Sequence, residues 1–279
     1  MEKFTTKTQI QQYLSLARAN GKTIGLVPTM GALHAGHLSL IQQAQQQCDV
    51  VVCSIFVNPT QFTDPADLEK YPRPIQEDIR KLEAIGCDVL FEPAVNEIYD
   101  NNEHWHLNIG TLEDLLEGKY RPGHYQGVTQ VVYKFFTLIN PDVAFFGQKD
   151  YQQFLVISRM VALMDMPVKL IMCPIQREAD GLAMSSRNIH LTPADRQNAL
   201  VLSKTLNRIK SDFDINNIAI LKQQAEAAIN NQPGTQLDYF EIADGDTLLP
   251  ADKQSKKIVA LVAAKVGQTR LIDNVMISG

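Results

Sequence analysis

The chain has 279 residues, long enough for one large domain or two modest ones with real cores. Its net charge of −5 excludes an overall polyanion-binding surface, so nucleic acid is not an expected partner and any phosphate site must be a local concentration of positive groups. Cys48, Cys53, Cys87 and Cys173 form no C-x-x-C pair, no apolar run reaches membrane-spanning length, and the polar N-terminal segment lacks a signal-peptide core. The expectation is a soluble, cytoplasmic protein with reduced thiols and no membrane partner.

The pattern predicts an amphipathic helix from Gln9 to Arg18, ended near Asn20-Gly21. Ile24 to Val27 is a short apolar run that predicts a buried strand. The stretch from Pro28 to Leu38 follows it, and Leu38, Ile41 and Ala44 then recur at helical spacing. Strand, glycine-bearing loop and helix start therefore meet at His34 and His37. The first N–H groups of a helix lack partners within it and the dipole is positive there, which suits a phosphate. Exposed surface residues or a zinc pair are the alternatives, but for zinc no Cys or carboxylate stands at helical spacing to the two histidines.

Val50 to Val57 is apolar on both faces, as a central parallel strand requires, and ends at Asn58-Pro59. Ile75, Ile79, Leu82 and Ile85 form a helical stripe closed by Gly86. A strand at Val89 to Phe91, a helix from Gln126 to Leu138 and strands at Val143 to Phe146 and Val168 to Met172 continue the alternation. A further helix lies between the last two strands and runs to about Met164. Leu107 to Gly118 fits no element. The fold class is α/β, a Rossmann-like parallel sheet with an H-x-G-H nucleotide loop, covering residues 1–175. From Ile175 the composition changes. A loop from Arg177 to Asn188 leads to a helix start at Thr192-Pro193-Ala194-Asp195. Helices to Lys210 and from Asn217 to Asn230 follow, then three strands. Residues 176–279 are expected to form a smaller α+β domain.

Ligands in such sheets bind at the carboxyl ends of strands. Polar clusters fall there three times, at residues 28–37, 58–62 and 147–150. His34 and His37 supply N–H donors, Lys149 a point charge and Arg187 a planar fork, with Ser185 and Ser186 beside it. This set can hold a triphosphate and stabilise a departing diphosphate. Gln61 and Gln153 are amides suited to a small polar acid or alcohol. Glu77 and Asp78 stand between a solvated helix face and a Mg²⁺ role. There is neither a P-loop nor a nucleophile elbow. The residues suit direct displacement at a phosphorus without a covalent enzyme intermediate, with a nucleotidylyltransferase and a non-catalytic nucleotide sensor among the readings.

Five motifs narrow this choice: P-T-M-G-A-L-H-A-G-H-L, V-N-P-T-Q-F, R-P-G-H-Y-Q-G-V, G-Q-K-D-Y-Q-Q and R-E-A-D-G-L-A-M-S-S-R-N, in that order. Together they resemble the pantothenate synthetase (pantoate–β-alanine ligase) family over essentially the whole chain. The resemblance implies condensation of ATP, (R)-pantoate and β-alanine to pantothenate, AMP and diphosphate with Mg²⁺, through a pantoyl adenylate, by a homodimer. It implies ATP contacts from Met30, Gly31, Ala32, Leu33, His34, Ala35, Gly36 and His37. Further ATP contacts are implied from Gly147, Gln148, Lys149, Asp150, Gln176, Met184, Ser185, Ser186 and Arg187, with the second domain closing over the phosphates. His34, His37, Lys149 and Arg187 would be catalytic, His37 as proton donor. Gln61 would bind both pantoate and β-alanine, and Gln153 pantoate. Asn58, Tyr71, Arg121 and His124 match family positions near the site. Gln148 departs from a frequent Glu, and Gln176 from a small aliphatic residue.

Overall fold

The computed structural model describes residues 1–100 and 103–279. The chain divides into two compact units. Met1–Gly147 and Gln152–Pro174 form the first, Gln148–Tyr151 and Ile175–Gly279 the second. The turn bearing Lys149 thus groups with the C-terminal residues, although Gly147 before it and the residues from Gln152 onward belong to the first unit.

In the first unit, β1 (Glu2–Phe4) and α1 (Lys7–Ala19) precede β2 (Ile24–Thr29), α2 (Ala35–Gln45) and β3 (Val50–Ile55). Then come α3 (Pro65–Lys70), α4 (Ile75–Ala84), β4 (Val89–Phe91), α5 (Val95–Ile98), α6 (Leu116–Tyr120) and α7 (His124–Ile139). The unit ends with β5 (Val143–Gly147), α8 (Tyr151–Leu163), whose first residue belongs to the other unit, and β6 (Lys169–Cys173). The six strands pair in parallel in the order β1-β4-β3-β2-β5-β6. The order reverses at β2, which lies between β3 and β5, so the carboxyl end of β2 is the switch point where such sheets take ligands. All six residues of β3 are buried, which is why it reads as an unbroken apolar run. Val27, Leu33, Ile41, Val51, Leu82 and Phe145 share one core, so the histidine loop is tied to the sheet through Leu33.

The second unit packs α9 (Pro193–Ser211) and α10 (Ile218–Asn230) on an antiparallel sheet of β7 (Thr235–Asp244), β8 (Ile258–Val266) and β9 (Thr269–Ser278). Thr192 caps α9, its hydroxyl accepting from Asp195 N at 3.1 Å, with Pro193 in the first turn. Among the described residues no helix is long and apolar enough to cross a membrane.

Candidate active site

The histidine loop is built from the backbone outward. Thr29 ends β2, and its hydroxyl donates to Ser54 O on the neighbouring strand at 2.7 Å. Gly31 and Ala32 then both take left-handed conformations, φ +80 and +49. A Cβ at Gly31 would stand 3.1 Å from both the Asp78 carboxylate and Ile55, so the position suits glycine twice over. The turn aims two successive N–H groups at one acceptor. Asp78 Oδ2 accepts from Ala32 N at 2.8 Å and Oδ1 from Leu33 N at 2.7 Å. Asp78 is 1% exposed. Burial pushes its carboxyl above the usual carboxylate range, while the Leu33 and Ala32 N–H groups pull the other way. Lys81, one turn further along α4, donates to Leu33 O at 2.6 Å.

His34 is the N-cap of α2 and His37 its third residue. Gly36 N donates to His34 Nδ1 at 3.1 Å, and His34 N donates to His37 Nδ1 at 3.4 Å, a reciprocal capping box made by two imidazoles. The rings stack with centroids 4.0 Å apart. An Nδ1 that accepts cannot carry the proton, so these bonds assign both rings to the Nε2–H tautomer. Each histidine therefore caps the helix with Nδ1 and carries its proton on Nε2.

The V-N-P-T-Q-F turn is held just as closely. Asn58, 1% exposed, donates to Gln61 Oε1 at 3.1 Å and to Gly127 O at 3.1 Å. Its Oδ1 accepts from the Tyr99 hydroxyl at 2.6 Å, and burial pushes that phenol up to about 12, keeping it a donor. Gln61 reaches the histidine loop through Nε2, 3.2 Å from Met30 Sδ. At its backbone, Gln61 O lies 2.8 Å from His124 Nδ1, and Arg121 Nη1 lies 3.1 Å from His124 Nε2. Since the guanidinium can only donate, His124 carries its proton on Nδ1 and donates it to Gln61 O. Gly127 completes the contact. A Cβ there would come within 2.3 Å of Thr60 O, so α7 meets the turn backbone to backbone.

Gln153 is half-buried on α8. Its neighbour Gln152 is buried and ties the 112–117 segment with bonds to Leu112 O, Leu115 O and Glu117 N. A cavity of about 200 Å³ opens where β2 and β3 end, sharing Met30, Gly31 and Asp78 with the histidine loop. Neither Gln61 nor Gln153 lines it.

Glu77 and Asp78 are not presented to a metal. Both Asp78 oxygens are committed to loop N–H groups. Glu77 pairs with Lys81 at 2.6 Å, and that bond holds its carboxyl below the usual range. Among the described residues no group of three or more His, Cys, Asp or Glu side chains is arranged to hold a metal ion. The pair does not fit a Mg²⁺ site, because Asp78 is engaged by the loop and Glu77 by Lys81.

In the second unit, Ser185 caps a short 3-10 turn over Ser186–His190, its hydroxyl accepting from Arg187 N at 3.2 Å. An isolated bridge between Arg177 and Ala183 closes the loop that leads into it, and Met184 N donates to Gln176 O at 3.0 Å. Gln176 thus helps to close this loop through its carbonyl, whatever its side chain. The Lys149 turn, from Gln148 to Asp150, belongs to this unit as well.

A parallel α/β sheet with a paired-imidazole helix cap at its switch point defines a nucleotide-binding α/β protein. The chain belongs to the pantoate-beta-alanine ligase family, whose model matches residues 2–276. A pantothenate synthetase of Moorella thermoacetica is 46% identical over 99% of both chains. The crystal structure of pantothenate synthetase from Thermus thermophilus superposes with a TM-score of 0.92 at 38% identity, covering 100% of both. A pantoate-beta-alanine ligase from Francisella tularensis, complexed with beta-gamma ATP and beta-alanine, gives a TM-score of 0.81 at 36% identity, covering 99% of this chain and 98% of that one.

Proposed function

We propose that this protein joins pantoate to β-alanine at the expense of ATP, giving pantothenate, AMP and diphosphate through a pantoyl adenylate. The observation that carries the reading is the histidine cap: two neutral imidazoles whose Nδ1 atoms are engaged with backbone N–H groups at the N-terminus of α2. That arrangement offers Nε2–H donors and a positive helix end to phosphate oxygens. Family membership over nearly the whole chain supports the substrates.

A carboxylate is a poor electrophile. Its oxygen first attacks the α-phosphorus of ATP, forming the mixed anhydride and releasing diphosphate. The β-alanine amine then attacks the activated carbonyl, and AMP leaves. In this reading Met30 to His37 hold the nucleotide, with His34 and His37 donating to phosphate oxygens as negative charge builds on the leaving group. Gly147, Gln148 and Asp150 also contact the nucleotide. Lys149 and the Met184–Arg187 segment supply compensating donors and positive charge, and Gln176 contributes its backbone. Gln61 and Gln153 orient pantoate by their amides, and Gln61 also receives β-alanine. Mg²⁺ enters as the counter-ion of the ATP substrate. Residues 1–175 act as the binding domain and 176–279 as the part that closes over it, in a cytoplasmic homodimer.

The test is product analysis with all three substrates and with each left out. AMP and pantothenate should appear in equal amounts only in the complete mixture. AMP transferred to a phosphorylated acceptor would replace this reading with nucleotidyl transfer, and ATP binding without turnover would leave a sensor.

A further inference from the structure

The Lys149 turn has an anchor that no motif in the sequence announces. Asn274, on β9, is 2% exposed. Both hydrogens of its amide are used: Nδ2 donates to Gln148 O at 2.9 Å and to Lys149 O at 3.0 Å. Its Oδ1 accepts from Gln148 Nε2 at 3.1 Å. The side chain thus clamps the two carbonyls that flank the Lys149 α-carbon, and the turn returns a bond to it. Two residues on, the Tyr151 hydroxyl donates to Gly245 O at 2.7 Å, and burial pushes that phenol up to about 12, so it remains a donor.

The residue before Asn274 holds the other cationic segment. Asp273, 4% exposed, forms a two-bonded ion pair with Arg177 at 2.7 and 2.9 Å. Arg177 opens the loop that bridges to Ala183 and runs into Ser185–Arg187. Asp273 Oδ1 also accepts from Asn274 N at 2.7 Å, which fixes one residue against the other. Two neighbours on one strand therefore mount two chain segments, one carrying Lys149 and one leading to Arg187. A side chain as flexible as lysine transfers little stabilisation to a transition state unless its backbone is fixed.

We propose that Asn274 is a positioning residue for adenylate formation, holding the backbone of Lys149 so that its ammonium meets the nucleotide phosphates. This rests on the role proposed above for Lys149, and the experiment separates the two. Asn274→Asp keeps the shape but sets a carboxylate oxygen against two carbonyls. Asn274→Ala removes the clamp, and Gln148→Ala removes the returned bond. Each is made in the full chain, alone and with Lys149→Ala. Pantoate-dependent exchange of labelled diphosphate into ATP is measured, together with the pantoate KM and thermal unfolding.

Lys149→Ala should slow exchange by about 10²-fold. Asn274→Asp and Asn274→Ala should slow it about 10-fold or more, and Gln148→Ala by a smaller factor, with the pantoate KM changed less than about twofold. On the Lys149→Ala background, Asn274→Ala should slow exchange no more than about threefold further, because the group it positions is gone. Multiplicative losses in the double variant, or a rise in pantoate KM equal to the loss of rate, would overturn the positioning role. Should Asn274→Ala unfold, Asn274→Asp and its double variant with Lys149→Ala carry the same comparison, and additivity there overturns the proposal. Unchanged exchange in Lys149→Ala would instead remove the role proposed for the lysine itself.

Discussion

The Asp78 carboxylate accepts the Leu33 N–H at 2.7 Å across 45 residues of sequence, and its other oxygen takes the Ala32 N–H at 2.8 Å. A buried helix residue thereby sets the entry of the histidine loop. Asp78→Ala leaves one buried and one part-buried N–H group without an acceptor, at about 1–3 kcal/mol for the buried one. The midpoint of urea unfolding should fall accordingly. Because the lost bonds belong to the loop proposed to hold the nucleotide, the ATP KM should rise at least about 10-fold while the pantoate KM moves less. An unchanged ATP KM in a folded Asp78→Ala protein would contradict this link.

The two jobs of His34 can be separated. His34→Ala removes the α2 cap, worth about 1 kcal/mol, together with the Nε2–H donor. His34→Asn keeps a side-chain acceptor for the cap and loses only the donor. Both should lose turnover by similar factors, while only the alanine variant should lose stability. Stability loss and rate loss travelling together through both variants would show that the ring acts only as a cap. His37→Ala should reduce turnover by about 10² or more.

Gly127→Ala places a Cβ within 2.3 Å of Thr60 O, a backbone atom with no room to move away. Overpacking of this kind costs about 1–3 kcal/mol. The strain falls on the turn that carries Gln61, so the pantoate KM should rise more than the ATP KM in steady-state kinetics. Equal effects on both substrates would separate the turn from pantoate binding.

Much of this arrangement is legible in the sequence because it is local. β3 reads as a parallel core strand because both its faces are buried. Thr192-Pro193 announces α9 by its own cap chemistry. β1 is missed because three residues with a mostly exposed pattern carry no period. α7 begins at His124, ahead of the expected Gln126, because the left-handed Gly123 starts the helix early. Residues 107–118 fit no pattern because distant side chains hold them: Gln126 bonds Leu107 and Glu113, and Gln152 bonds Leu112, Leu115 and Glu117. The histidines and glutamines of the site are visible as motifs. Their supports, Asp78 and Asn274, lie 45 and 125 residues from the groups they hold, and no spacing rule reaches that far.

The pairing of β2 with β3 makes a prediction for pH. Asp49 accepts from the Thr23 N–H at 2.9 Å and its hydroxyl at 2.8 Å, and those bonds, the backbone one foremost, hold its carboxyl below the usual carboxylate range. A lowered folded-state value means the contribution is present above the ordinary value of about 3.9 and is lost as pH falls through the lowered one. In Asp49→Asn the acid side of a Tm-against-pH curve should flatten below about pH 4, with Tm already lower at neutral pH. An unaltered acid limb would show that Thr23 gains nothing from the charge.

The proposed reaction activates a carboxylate by transfer of AMP before any amine takes part. Exchange of labelled diphosphate into ATP, run without β-alanine, isolates that step. Label should enter ATP when pantoate is present and stay out when it is omitted. Exchange that needs β-alanine, or that proceeds with a phosphorylated acceptor in place of pantoate, would contradict the account.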